Sequence, residues 1–108
     1  MNETYAAVEP TRESIDQLLG PTLIEFGSPW CGHCRAAQPR IASALAAHPG
    51  VRHLKIEDGS GKPLGRSFKV KLWPTLIFMD KGTEVGRLVR PQDAQPISDA
   101  LAKLDPGS

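Results

Sequence analysis

The sequence contains few cysteines, few aromatic residues and almost no net charge. Of its 108 residues two are cysteine and 6% are aromatic, and 13 basic against 12 acidic side chains leave a formal net charge of +1. Electrostatics therefore gives no reason to expect nucleic acid or an anionic membrane as a partner. No apolar run reaches the length of a membrane span. The length and the 40% hydrophobic content instead predict one globular domain over residues 1–108.

The first residues and the cysteine count indicate the compartment. Residues 1–5 carry an acid and no base, and no apolar stretch follows them, so we expect no secretory signal and a cytoplasmic location. Small secreted domains distribute more cysteines along the chain. Here Cys31 and Cys34 lie three positions apart, and a bridge between them would close only a tiny loop. The pair is therefore expected to serve chemistry rather than stability.

Strand and helix patterns alternate along the chain without internal repeats. The predicted strands are residues 4–8, 22–27, 51–57, 75–79 and 83–89. The predicted helices are residues 11–19, 31–47 and the segment after Asp93, with a short helical turn inside the glycine-rich loop 58–68. The first strands are separated by helices, which favours parallel pairing. The turn at residues 80–82 predicts a hairpin of two antiparallel strands. We therefore predict an α/β fold with a central mixed sheet flanked by helices.

The cysteine pair opens a predicted helix directly after a predicted buried strand. Unpaired backbone N–H groups and the positive end of the helix dipole lie at this position. They favour the thiolate form of Cys31, which is the nucleophile of disulfide exchange. Cys34 follows one turn later on the same helix face, close enough to displace a mixed disulfide. The spacing therefore predicts an attacking cysteine, Cys31, and a resolving cysteine, Cys34.

The same cysteines also fit the spacing of a zinc site with two cysteines and two histidines. His48 and His53 follow them at suitable distances along the chain. In a zinc finger both histidines normally share one helix, whereas Pro49 lies between them here. We therefore expect no bound metal, and we expect His48 and His53 to be surface or half-buried polar residues.

Several segments carry a family resemblance. Residues 25–26 and 29–34, with Pro39 five positions further on, resemble the active-site segment of the thioredoxin superfamily. The closest likeness is to the catalytic domains of protein disulfide isomerase. Residues 70–75 resemble the family's cis-proline loop, and residues 80–89 resemble its closing hairpin. The resemblance, which extends over residues 22–104, implies a thioredoxin fold and a thiol–disulfide oxidoreductase that needs no bound cofactor.

The resemblance assigns roles to residues that bind clients. Trp30 shields the reactive sulfur and offers an aromatic surface to client proteins. Pro74 is expected in the cis form, which places the backbone of Trp73 beside Cys31, where a client strand can pair with it. Outside this sequence context Pro74 would be an ordinary turn proline.

The resemblance also assigns roles to an acid and a histidine. Glu25 interrupts an apolar strand, where an ionised carboxylate is costly unless it has a use. By resemblance it takes the proton of Cys34 during resolution; the alternative is an exposed strand face. His33 replaces the proline usual in thioredoxins, and its imidazole would favour the Cys31 thiolate and make the disulfide a stronger oxidant. The alternative is that His33 only occupies a position between the two cysteines and does not affect their chemistry.

Three residues depart from the family pattern. His53 stands where many members hold a lysine near the buried acid, which leaves the charge partner of that acid open. Gly27 stands where an aromatic residue is common. Arg90 stands where glycine is often found, and it could form a groove wall, modulate the cysteines or be a solvated charge; we favour the solvated charge.

Together these features predict a monomeric, thioredoxin-like reductase that exchanges disulfides with protein thiols. A flavoprotein disulfide reductase or glutathione would supply its electrons. An isomerase or oxidase acting on folding proteins is the alternative within the same chemistry. A redox-regulated binding module, whose cysteines sense rather than turn over, is the alternative outside it.

Overall fold

The computed structural model describes residues 4–104, which form four strands and four helices. The strands are β1 (Thr22–Gly27), β2 (Arg52–Glu57), β3 (Thr75–Asp80) and β4 (Thr83–Val89). The helices are α1 (Arg12–Asp16), α2 (Gly32–Ala46), α3 (Pro63–Ser67) and α4 (Ala94–Leu104). The strand order is β2-β1-β3-β4; β1 pairs parallel with β2, whereas the β1–β3 and β3–β4 pairs are antiparallel. The predicted mixed sheet flanked by helices is confirmed.

Strand β1 lies in the middle of the molecule, and every residue of it is buried. Its side chains alternate between the two faces of the sheet, as strand geometry requires. Leu23 packs in a core with residues of α2 and α4. Ile24 and Phe26 pack in a second core with residues of α1 and α3. Glu25 lies two positions after Leu23, so its side chain points to the same face of the sheet, toward α2.

The neighbouring strand β2 continues this pattern. In the parallel register Leu23 lies beside His53, and Glu25 lies beside Lys55. His53 and Lys55 are both buried, whereas Leu54 and Ile56, of opposite parity, pack against the second core. The face of the sheet under α2 therefore gathers one acid and two basic side chains from adjacent strands.

Helix α2 starts where the sequence places it. Cys31 is its N-cap residue with an extended backbone, and the helix ends at Ala46 with Ala47 as the C-cap. Thr11 caps α1 through a hydrogen bond from the backbone N–H of Ser14 to its hydroxyl. Ala37, Ile41, Ala44 and Leu45, on one face of α2, pack in the first core together with Leu23 of β1.

Two predicted elements are wrong. Residues 4–8 do not form a strand: the backbone N–H of Ala6 donates to the Lys55 carbonyl at 2.9 Å, but no ladder continues from that bond. Helix α1 ends at Asp16 rather than at residue 19, because only Ile15 of this helix is buried and the chain must turn at residues 20–21 to enter β1.

Along residues 4–104 no helix combines the length and the apolar character needed to cross a membrane.

Candidate active site

The two cysteines are free thiols with different surroundings. Cys31 is partly exposed, and its Sγ accepts a hydrogen bond of 3.1 Å from the backbone N–H of Cys34. The same sulfur lies 3.9 Å from the carbonyl oxygen of Trp73, a residue 42 positions away. Cys34 is only 1% exposed. The helix N-terminus thus presents one sulfur to solvent and holds the other behind it.

Burial changes the acidity of the second cysteine. Desolvation, the hydrogen bond with Cys31 and the nearby charges of Cys31 and Glu25 raise the pKa of Cys34 to about 12, although a backbone hydrogen bond at Ser28 opposes the shift. Cys34 therefore keeps its proton at neutral pH. A base has to accept that proton before Cys34 can act as a nucleophile.

Glu25 is fully buried beneath α2, which excludes the alternative of an exposed strand face. Its Oε1 lies 2.9 Å from Nε2 of His53, and its Oε2 accepts a hydrogen bond of 2.7 Å from Nε2 of Gln38. The same Gln38 nitrogen donates to the carbonyl oxygen of Cys34 at 3.0 Å. Gln38 therefore links the buried acid to the backbone of the buried cysteine.

The expectation that His48 and His53 are surface or half-buried residues is wrong, since both are buried. His53 occupies the position of the lysine expected near the acid, and its ring contacts Glu25. His48 lies in the turn that follows α2, where its backbone N–H donates to the Leu45 carbonyl. Within residues 4–104 no three histidine, cysteine or acidic side chains are grouped as metal ligands.

The proline loop lies beside Cys31. The Trp73–Pro74 peptide bond is cis, as the resemblance predicts. The indole Nε1 of Trp73 donates to Oδ2 of Asp58 at 2.8 Å, which holds the loop against the segment after β2. The Trp73 backbone carbonyl thereby faces the attacking sulfur.

Arg90 reaches the same carbonyl, so the interpretation of Arg90 as a solvated charge is wrong. Arg90 is half-buried, and its Nε donates to the Trp73 oxygen at 2.8 Å. Its backbone N–H donates to the Pro74 carbonyl at 2.9 Å. Arg90 adopts a left-handed conformation with φ of 50°, which glycine tolerates best. A cation therefore lines the groove beside Cys31.

Two predicted site residues lie on the surface around the cysteines. Trp30 is 86% exposed and precedes Cys31, so its indole is available to another molecule. His33 is exposed in the first turn of α2, between the two cysteines. Leu72, which precedes Trp73 in the chain, is about half exposed and adds apolar surface.

Sequence reasoning missed three residues beneath the cysteines: Tyr5, Gln38 and Lys55. Lys55 is buried; its Nζ donates to Oε1 of Gln38 at 3.0 Å and lies 4.7 Å from the centre of the Tyr5 ring. The alternation of side chains along β2 could have shown that Lys55 points to the same face of the sheet as Glu25. The unusual Gly27 was the only signal of the space that the Tyr5 hydroxyl approaches.

A partly exposed thiol at a helix N-terminus, a buried thiol behind it and a cis-proline loop beside it define a site for thiol–disulfide exchange. The family model "Thioredoxin" matches residues 6–103. The fold is similar to that of thioredoxin 2 from Pseudomonas aeruginosa PAO1 in its reduced form, with 51% identity, complete coverage of both chains and a TM-score of 0.88. The chain belongs to the thioredoxin family.

Curated relatives carry two kinds of name. A protein disulfide-isomerase of Hordeum vulgare is 35% identical over 101 residues, which cover 84% of this chain and 20% of that protein. Thioredoxin C-3 of Corynebacterium nephridii is 37% identical over 68 residues, which cover 63% of this chain and 47% of that protein. The matches thus span between one fifth and about half of the length of these two relatives.

Proposed function

We propose that this chain is a thiol–disulfide oxidoreductase that reduces disulfides in client proteins through Cys31 and Cys34. The observation that carries the proposal is the asymmetry of the pair. Cys31 is accessible at the start of α2, whereas Cys34 is buried directly behind it. Because only one sulfur can meet a client, attack and resolution fall to different cysteines.

The reaction proceeds in two exchanges. The Cys31 thiolate attacks a client disulfide, so that the client S–S bond breaks and a mixed disulfide forms. Cys34 then attacks the Cys31 sulfur and displaces the client sulfur that is still bound to it. Both client sulfurs are then reduced. The protein retains the Cys31–Cys34 disulfide, having given up two electrons. Glu25 takes the proton of Cys34; its burial and its link through Gln38 support this assignment.

The client lies along the groove between Trp30 and the proline loop. The exposed indole of Trp30 supplies an apolar contact, and the Trp73 backbone next to Pro74 offers strand-like pairing beside Cys31. A client disulfide in an extended segment fits this groove better than one in a helix, because only an extended chain presents unpaired backbone groups.

The electrons return to the protein from a flavoprotein disulfide reductase or from glutathione. The direction of exchange depends on the redox poise of the compartment, and a reducing cytoplasm favours the reductase direction. We expect the chain to work as a monomer, because both cysteines, Glu25 and the proline loop are brought together within a single fold. Light scattering of the purified protein tests the oligomeric state, and cell fractionation tests the location.

Turnover of insulin disulfides with dithiothreitol as the reductant tests the proposal. Cys31→Ser is expected to abolish turnover, whereas Cys34→Ser is expected to attack and to remain trapped as a mixed disulfide, detected by non-reducing electrophoresis. A Cys34→Ser variant that turns over as fast as the wild type would contradict the two-cysteine mechanism. A wild-type protein without turnover would favour the redox-regulated binding module.

An isomerase or oxidase is the second candidate, because His33 and the relatives named protein disulfide-isomerase are consistent with it. The reduction potential of the Cys31/Cys34 couple separates the two: thioredoxins have a potential of about −270 mV and protein disulfide isomerase one of about −180 mV. If His33 stabilises the Cys31 thiolate, His33→Pro makes the couple more reducing, and about 30 mV corresponds to about 1.4 kcal/mol. An unchanged potential would leave His33 as a spacer.

A further inference from the structure

Tyr5 lies in the segment before α1, yet its side chain reaches the cysteines. The hydrogen bond from Ala6 to the Lys55 carbonyl fixes this segment beside β2. Lys55 then contacts the face of the Tyr5 ring with its ammonium group, 4.7 Å from the ring centre, an arrangement that attracts a cation to the aromatic face. The ring is thus held between the N-terminal segment and the sheet.

The Tyr5 hydroxyl meets Cys34 in the space that Gly27 leaves open. A methyl group on Gly27 would lie 2.6 Å from Sγ of Cys34 and 3.0 Å from the Tyr5 hydroxyl oxygen. The hydroxyl and the sulfur therefore approach the same point. Tyr5, Cys34, Gln38 and Lys55 line a common cavity of about 310 Å³.

We propose that the Tyr5 hydroxyl donates a hydrogen bond to the Cys34 sulfur as that sulfur becomes the thiolate that resolves the mixed disulfide. In this step the bond between Cys31 and the client sulfur breaks and the Cys31–Cys34 bond forms. The client leaves as a thiolate, and the Cys34 proton passes to Glu25. The inference rests on the exchange activity proposed above and extends it to a donor outside the Cys-x-x-Cys segment.

Tyr5 can act as a donor throughout the working pH range. The titratable and charged groups around it are Lys55 on β2, Glu25 on β1, and Cys31, Cys34 and Arg35 at the start of α2. Burial, followed by the negative charges of Cys34, Glu25 and Cys31, raises the pKa of Tyr5 well above its usual range. The phenol therefore stays protonated, and a phenol O–H stabilises a thiolate more than a neutral thiol because hydrogen bonds to charged groups are the stronger ones.

A single-turnover experiment with the full chain separates attack from resolution. Reduced protein in excess is mixed with dithiobis(nitrobenzoate), and release of thionitrobenzoate is followed by stopped-flow absorbance. The first release reports attack by Cys31 and depends on protein concentration. The second release reports resolution by Cys34 and is independent of concentration. Wild type is compared with Tyr5→Phe, which removes only the hydroxyl, between about pH 6 and pH 11.

In Tyr5→Phe we expect an unchanged first phase and a second phase slowed about tenfold near neutral pH, a loss typical of a hydrogen bond to a charged group. The hydrogen bond and the charge of Cys31, two of the causes that raise the pKa of Cys34 in the reduced protein, are absent in the mixed disulfide. The midpoint of the second phase therefore lies below the pKa of Cys34 in the reduced protein, and in the variant it is expected to rise by about one unit, since a tenfold effect corresponds to one pKa unit. An unchanged second phase overturns the inference. So does a uniform slowing with an unmoved midpoint, which indicates a purely structural role. Absence of the first phase in the wild type overturns the proposed exchange activity itself.

Discussion

Replacing His53 by leucine tests whether Glu25 depends on its histidine partner. The two side chains are 1% and 0% exposed, and the shortest distance between them is 2.9 Å. Removing one partner of a buried pair typically costs about 3–5 kcal/mol. Glu25 keeps the Gln38 donor at 2.7 Å, so we expect a loss near the lower limit, about 3 kcal/mol. For a domain of this size, that loss lowers the melting temperature by about 10 °C or more.

Two further variants distinguish a lost partner from general disruption of the core. His53→Lys returns a donor to this position and is expected to lose less stability than His53→Leu. The double variant Glu25→Leu/His53→Leu removes the whole pair, and replacing a buried pair by apolar residues is often neutral. Gln38 keeps the Cys34 carbonyl as an acceptor in that variant. The double variant is therefore expected to be more stable than His53→Leu alone.

Urea unfolding at about pH 7, followed by circular dichroism, measures these differences. The comparison requires equal m-values, so that a change in midpoint reports stability alone. If His53→Leu were as stable as the wild type, the contact with Glu25 would contribute nothing. If the double variant were less stable than the single variant, the loss would come from packing and the reasoning would fail.

Three other predictions follow from the site. Gly27→Ala is expected to cost about 1–3 kcal/mol by overpacking against Cys34, whereas Gly86→Ala, with open space around it, is expected to cost less; thermal unfolding compares the two. Because the pKa of Cys34 is raised from 9.0 to about 12, its contribution to the stability of the reduced protein is complete below pH 9 and is lost as the pH rises toward 12. Urea unfolding across that range should show a steeper decline in the wild type than in Cys34→Ser, and parallel declines would contradict this. Arg90→Gly is expected to be about 1 kcal/mol more stable than Arg90→Ala, because both lose the bond to Trp73 and only glycine relaxes the positive φ; equal urea midpoints would refute it.

The fold was largely predictable because its strands carry strong local signals. β1 and β3 are apolar and rich in β-branched residues, and the turn at residues 80–82 marks the hairpin. The segment 4–8 misled the prediction because its composition suits a strand while its backbone makes a single sheet-like bond, through Ala6. A strand exists only where a partner strand continues the ladder, and sequence composition does not report the partner.

The site was predictable where its function depends on local sequence and less so where it depends on packing. Cys31 and Cys34 belong to one helix start, and Glu25 stands out as an acid in an apolar strand. His53 was misjudged as partly exposed, because the sequence does not reveal that α2 covers its face of β2. Tyr5 reaches the site only through the path of the N-terminal segment, which no periodicity encodes.

The position of β1 between β2 and β3 has a consequence for the protein as it is synthesised. β1 and α2 carry the acid and both cysteines, but β3 and the adjoining Trp73 come more than forty residues after Cys31. A ribosome-bound chain that ends before β3 therefore already contains the dithiol, while one side of β1 has no strand beside it and the carbonyl that faces Cys31 is absent. Such a nascent chain holds reactive thiols without the groove that selects their partners, and selectivity arises only when the last strands pair.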